Sequence, residues 1–380
     1  MSESPLLRHK ELLIQNIINL PGWRTNRKIV VIESDDWGSI RMPSLKVYNS
    51  LLNSGIRIDN LVYNRYDSLA SEEDLTSLIE TLTGIKDNYG NYPVFTLNTV
   101  VGNPNFEKIL DSKFMEYFFE PFTETLKRYP EHSNSFKLWE KGIALGVFKP
   151  QFHGREHLNV HRWLRALQNN NKDVHLAFDL GIFDLSIEYR ITENSFMDAF
   201  NFETKEEIAK LKQSLSEGLD LFHSLFGYKS QSFVAPLYIW PCEIEGTLHE
   251  KGVRFIKSAH YQLEPLAGTT NVFRKVFHYT GQRSKDGLYI IVRNASFEPS
   301  EKPDYDWIGD LLAKAKSAFL WKKPLVISSH RVNYIGFIDP VNRDKNLTKL
   351  SLLLKTLLNK WPDIEFLSTD QLGELINKEK

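Results

Sequence analysis

Ile29-Val30-Val31-Ile32-Glu33-Ser34-Asp35-Asp36-Trp37-Gly38-Ser39 is the stretch from which the fold can be read. Its β-branched run is the pattern of a buried strand, and it delivers two adjacent carboxylates and then a glycine to the strand's C-terminal end, where α/β folds place their chemistry. Two ionised Asp side chains side by side repel, so a site that keeps both must supply a metal, a base or a shared proton. The chain offers ligands for a metal. His153-Gly154-Arg155-Glu156-His157 is an HxxxH pair, and the i, i+4 spacing predicts two imidazoles on one side of a helical turn.

Outward from this stretch, strands and helices alternate. Strands are expected at Val94–Val101, Gly146–Phe152, Val174–Asp179, Gln231–Pro236, Arg254–Ser258, Leu325–His330 and Ile364–Leu367. Between them, helical periodicity marks Pro43–Leu52, a segment from Ser71, Thr204–Phe226, Asp306–Trp321, Leu347–Trp361 and a closing helix. Phe114–Tyr129, rich in aromatics, reads as a packed helix. From Asn271 to Asn294, two β-rich runs flank Arg283-Ser284-Lys285-Asp286-Gly287, which predicts an inserted β-hairpin. The expectation is an α/β chain: a distorted (β/α) barrel of about seven parallel strands, one domain over residues 1–380. Residues 1–28 would form an amphipathic helical extension, since Leu6, Leu7, Leu12, Leu13, Ile14, Ile17, Ile18 and Leu20 recur at helical spacing.

Composition narrows the function classes. The chain has 380 residues, 42% apolar and 25% charged, with a formal net charge of -1, so nothing argues for nucleic acid or an anionic membrane surface. No window approaches the roughly 20 apolar residues of a transmembrane helix. With one cysteine, Cys242, there is no internal disulfide, and the N-terminus lacks a secretory pattern; both lead to the expectation of a cytoplasmic protein.

Taken in order, Asp-Asp after the first strand, HxxxH after a middle strand and a His closing a late strand resemble the polysaccharide deacetylases of carbohydrate esterase family 4, with the NodB-homology fold. The family's TFDDG motif is matched by Ser34-Asp35-Asp36-Trp37-Gly38, its H[ST]xxH by His153–His157, and its late Asp-Trp and His by Asp306-Trp307 and His330. Two departures suggest a divergent branch. Trp37 stands between the Asp pair and Gly38, and the RxP[YF] motif reads Val234-Ala235-Pro236-Leu237-Tyr238, without the Arg that braces the catalytic Asp. Arg155, Arg331 and Arg41 are the candidates to replace it.

The resemblance implies a divalent ion of the zinc class held by Asp36, His153 and His157, with Asp35 as general base and His330 as general acid oriented by Asp306. Two His and one Asp with an open position for water are also the usual ligand plan of a catalytic zinc site. A backbone N–H at Leu237 or Tyr238 would stabilise the oxyanion. Trp37 and Tyr238 are candidates for stacking on a sugar, with Trp307 and Asn294 beside the groove. The function expected is hydrolysis of an N-acetyl, O-acetyl or formyl group from a saccharide. Two alternatives stand beside it: hydrolysis of a non-sugar amide C–N bond on the same site, and a glycan-binding protein without turnover, which the missing Arg favours.

Overall fold

A computed structural model describes residues 14, 16–188, 191–192 and 194–379. Most of the expected N-terminal helix, Leu6 to Leu13, lies outside the described residues; Asn16 to Ile18 are helical.

The chain forms a distorted (β/α) barrel. Its sheet has nine strands, all paired in parallel: β1 (Lys28–Trp37), β2 (Phe95–Val100), β3 (Phe148–Gly154), β4 (Ser232–Val234), β5 (Phe255–Ser258), β6 (Tyr289–Val292), β7 (Ala295–Ser296), β8 (Leu325–His330) and β9 (Ile364–Phe366). Their order is β6-β5-β4-β3-β2-β1-β8-β7, with β9 against the start of β1. β6 and β7 sit at opposite ends of this order yet are joined by Arg293 and Asn294 alone, a path of at most ~11 Å. The sheet must therefore curl until its edges nearly meet. The link itself is the seam, because Arg293 N–H donates to Ser258 of β5 and Asn294 N–H to Val326 of β8.

Strand alternation sorts the residues into layers. Val30 and Ile32 face outward onto the helices Glu72–Thr83, Trp307–Leu320 and Pro340–Lys360. Ile29 and Val31 face inward and pack with Val326 of the adjacent β8 and with Phe255 and Ile291 of β5 and β6, closed from below by Leu372 and Ile376 of the helix Thr369–Lys378. Above this apolar floor the next inward positions are Glu33, Lys257, Arg293 and Ser328, and above those are Asp35 and His330. Polar chemistry is thus confined to the strands' C-terminal end. On the outer wall the helix Lys205–Phe226 buries Leu211, Leu215, Leu219 and Phe222 at helical spacing, as its periodicity predicts, and stops at Gly227.

Several local expectations are corrected. Val174–Asp179 is not a strand but part of the helix Lys172–Asp179: the Asn171 side chain caps it, and Val174, Ala177 and Phe178 are buried at helical spacing. Phe114–Tyr129 is not one helix; it contains the strand Phe119–Pro121 and the helix Phe122–Lys127. The antiparallel hairpin is Tyr261–Pro265 with Phe273–Phe277, earlier than expected. The turn at Arg283–Gly287 leads instead into β6, which joins the parallel sheet. The parallel barrel of about seven strands is as expected, with nine strands counted when the short ones at the seam and edges are included.

Candidate metal and catalytic centre

In a regular strand Asp35 and Asp36 would point to opposite faces. They do not, because β1 slips register against β2 between Ser34 and Trp37, and Asp36 takes a left-handed backbone with φ 71°. A short carboxylate tolerates that conformation better than most side chains. This bulge keeps both carboxylates at the barrel mouth, and the residue extra to the family motif, Trp37, falls at the same place. Gly38 follows at φ 85°, with its α-carbon so close to the Val100 carbonyl that a Cβ would lie 2.2 Å from it; only glycine fits.

Trp37 itself turns away from the mouth. It is 1% exposed, donates Nε1–H to Ser34 Oγ at 2.8 Å and packs edge-on against Trp139 at 5.9 Å. The expectation that it stacks on a sugar is therefore corrected: it is a core residue.

His153 ends β3 and His157 lies in the bend that follows, not on a helical turn as expected. The turn is made at Gly154, with φ 147°. Both imidazoles nonetheless converge, with Nε2 of His153 and His157 at 3.4 and 3.3 Å from the same oxygen of Asp36, Oδ1. All three side chains are nearly fully buried. His153 Nδ1 faces the Val234 carbonyl at 2.8 Å, so that nitrogen carries the proton and Nε2 presents a lone pair to the cluster. Burial lowers the His157 pKa, which favours the neutral imidazole that a metal needs.

Asp35 is braced, but not by any of the expected arginines. Arg293, at the seam, donates Nη1 and Nη2 to Asp35 Oδ2 and Oδ1 at 2.7 and 2.8 Å, and Nε to Glu33 Oε2 at 2.5 Å. Burial alone would raise the Asp35 carboxyl, but the guanidinium more than offsets it and holds the group well below the usual carboxylate range. Arg155 is spent on Glu156, at 2.5 and 2.6 Å, and on Glu217. Arg331 forks Asp67, at 2.9 Å for each bond, and donates to the Ser39 carbonyl. Arg41 contacts Met197 Sδ and lies 3.8 Å from Asp67. Arg293 carried no local signal, because a two-residue link between short strands reveals its role only when the sheet closes.

His330 ends β8 with Nε2 3.9 Å from Asp35 Oδ2. Its orienting partner is Glu298, whose Oε1 meets Nδ1 at 2.8 Å while Oε2 accepts from Asn333 at 2.6 Å. Burial would lower the imidazole pKa, yet Glu298 and Asp35 together raise it well above its ordinary value. Asp306 does not take that role: it caps the helix Trp307–Leu320, accepting from the Gly309 N–H at 2.9 Å. Trp307 is packed, its Nε1–H on the Lys302 carbonyl. Asn294 is the clasp of the seam, accepting from the Val326 N–H and donating to the Pro324 carbonyl, both at 2.9 Å, rather than a groove residue.

The exposed margin of the centre consists of His330, Leu237 and Tyr238. Leu237 and Tyr238 are consecutive left-handed residues, φ 55° and 56°, with Leu237 46% exposed. The Tyr238 hydroxyl accepts from Arg293 Nη1 at 3.1 Å, and its N–H is donated to the Ala235 carbonyl at 3.0 Å.

No family model matches the sequence. No curated protein matches it either. Among solved structures the chain is similar to a probable polysaccharide deacetylase from Pseudomonas aeruginosa PAO1, at 10% identity over 93% of this chain and 92% of that one, with a TM-score of 0.47. It is similar also to a 4-alpha-glucanotransferase from Thermococcus litoralis, at 9% identity over 91% of this chain and 40% of that one, TM-score 0.45. A third is a carbohydrate esterase family 4 pseudoenzyme from Bacillus anthracis, at 8% identity over 92% and 66% of the two chains, TM-score 0.36. The family that the motifs resemble is represented among the structural neighbours. The roles of the residues rest on the geometry. No helix among the described residues is long and apolar enough to cross a membrane.

Proposed function

We propose that the chain is a metal-dependent hydrolase that removes an N-acetyl group, or an O-acetyl or formyl group, from a saccharide. The observation that carries this reading is the convergence of Asp36, His153 and His157, their ligand atoms all within 4.8 Å of one another, beside a braced Asp35 and a carboxylate-paired His330. The donor set fits a zinc-class ion. Ligand atoms at about 2.0–2.2 Å from a tetrahedral centre lie roughly 3.3–3.6 Å apart, close to the separations of the imidazoles from Asp36. Bound there, the ion would supply Lewis acidity and a water whose pKa falls towards ~7 from 15.7.

The chain's own groups do the rest. Asp35, kept ionised by Arg293, takes a proton from the attacking water. His330 then gives the proton on Nε2 to the departing nitrogen or oxygen, since Nδ1 is held by Glu298. The acyl C–N or C–O bond breaks, and the products are the carboxylic acid and the freed amine or alcohol. Because the Tyr238 N–H is already donated, the Leu237 N–H is the donor assigned to the oxyanion. Tyr238 and the exposed Leu237 form the rim against which a sugar ring would rest. Arg293 supplies the guanidinium whose absence from the motif favours a binder without turnover, and this supports the hydrolase reading.

The test combines metal analysis with acetate release from N-acetylglucosamine oligomers. The wild-type chain is expected to bind about one ion and release acetate. Asp35→Asn should keep the ion and lose about 10²–10⁴ in rate, whereas Asp36→Ala should lose the ion. Binding of the oligomers without release of any acyl group would overturn the hydrolase reading.

A further inference from the structure

Beneath Asp35 lies a lysine that the reaction above does not use. Lys257, on β5, is 0% exposed, and its Nζ donates to Asn98 Oδ1 on β2. Asn98 in turn donates Nδ2–H to Asp35 Oδ1 at 2.6 Å. We propose that Lys257 is a positioning residue for Asp35, acting through Asn98: it fixes which face of the Asn98 amide the carboxylate meets. This rests on the reading of Asp35 as the general base.

An amide has one accepting end and one donating end, an ammonium only donates and an ionised carboxylate only accepts. A chain ordered Lys, Asn, Asp therefore has one satisfactory orientation of its middle member. With an apolar residue at 257, Asn98 Oδ1 would lose its donor, and the amide would be oriented by Asp35 alone, since a flip would set an acceptor against an acceptor.

The surrounding charges agree with this. Around Lys257 stand Glu33 and Asp35 from β1, Arg293 from the seam and, farther off, Asp370 at the start of the C-terminal helix. Arg293 bonds both Glu33 and Asp35, two carboxylates to one guanidinium, and Lys257 brings this inner set to balance. Burial pushes the amine down to about 8 in spite of Glu33, so it is an expensive residue to keep where the barrel floor could have been completed with leucine. Arg293 neutralises Asp35; Asn98 adds a further bond to its Oδ1, which can only be a donation, and Lys257 holds the accepting end of the amide so that this bond is kept.

Two readouts on the metal-loaded chain test this. The first is the side-chain ¹⁵N amide signal of Asn98, assigned by its disappearance in Asn98→Leu and visible without substrate. The second is the kcat and KM of acetate release. Lys257→Met should shift the amide signal and speed its hydrogen exchange, and should lower kcat about tenfold with KM unchanged. Combined with Asn98→Leu it should do no further harm, because the two residues act in series. If Lys257→Met does not fold, Lys257→Gln, which keeps a donor and loses the charge, replaces it: its amide signal should stay closer to wild type. An unaltered Asn98 signal in the folded Lys257→Met chain, or effects of the two substitutions that multiply, would overturn the proposal. A responsive amide in a chain that hydrolyses nothing would leave the coupling standing and defeat the hydrolase reading alone.

Discussion

Two buried carboxylates in this fold are each forked by an arginine from the far end of the chain, yet they lean in opposite directions. Asp35 receives Arg293 at 2.7 and 2.8 Å, and its carboxyl is held well below the ordinary range, the cost of burial being more than offset. Asp67 receives Arg331 at 2.9 Å twice, and burial still pushes its carboxyl upward. The difference lies in what else each one meets. Asp35 has the Asn98 amide on one side and His330 on the other, at the edge of the barrel mouth. Asp67 is 0% exposed, and the guanidinium that holds it also ties down the Ser39 carbonyl just beyond the Asp pair. An arginine fork therefore does not by itself decide which way a buried carboxyl leans; its neighbours do.

The sharpest way to break this comparison is to remove each fork. Arg293→Met should lower kcat/KM by about 10²–10⁴, the scale of a lost general base. Arg331→Met should instead lose about 3–5 kcal/mol of stability, measured by urea denaturation, because the buried Asp67 loses its fork and keeps only the more distant Arg41 at 3.8 Å, while the rate per folded molecule is kept. Equal losses of rate in the two variants would erase the distinction. Trp37→Ala extends the test to the residue next to the Asp pair. As a packed core residue it should cost about 3–5 kcal/mol of stability and leave KM for an acetylated oligomer unchanged.

Smaller effects separate the partner of His330 from its look-alike. The Glu298 carboxylate raises the imidazole pKa, and an acid works only while protonated, so activity should fall as pH rises through that raised value. Glu298→Gln removes the charge, and the alkaline limb of the kcat/KM profile should move down by about one pH unit. Asp306→Ala should leave the profile where it is and cost only about 0.5–2 kcal/mol of stability, the worth of a helix cap.

The amino-acid order alone is enough to place the strand that carries Asp35 and Asp36, the parallel alternation, the His153 and His157 pair after a middle strand, and His330 at the end of a late one. Each of these is written in a local pattern of period two or 3.6 and in the positions of a few residue types along the chain. The helix at Lys172–Asp179 is hard to read locally because a short apolar run fits either period, and only the Asn171 cap ahead of it points to a helix. The partners of the reactive groups were out of reach for a different reason. Arg293 meets Asp35 across 258 positions of sequence, Glu298 meets His330 across 32, and Lys257 meets Asn98 across 159. Buried charges find their counter-charges in space, and which ones are near is fixed only when the sheet curls and its edges meet at Arg293 and Asn294.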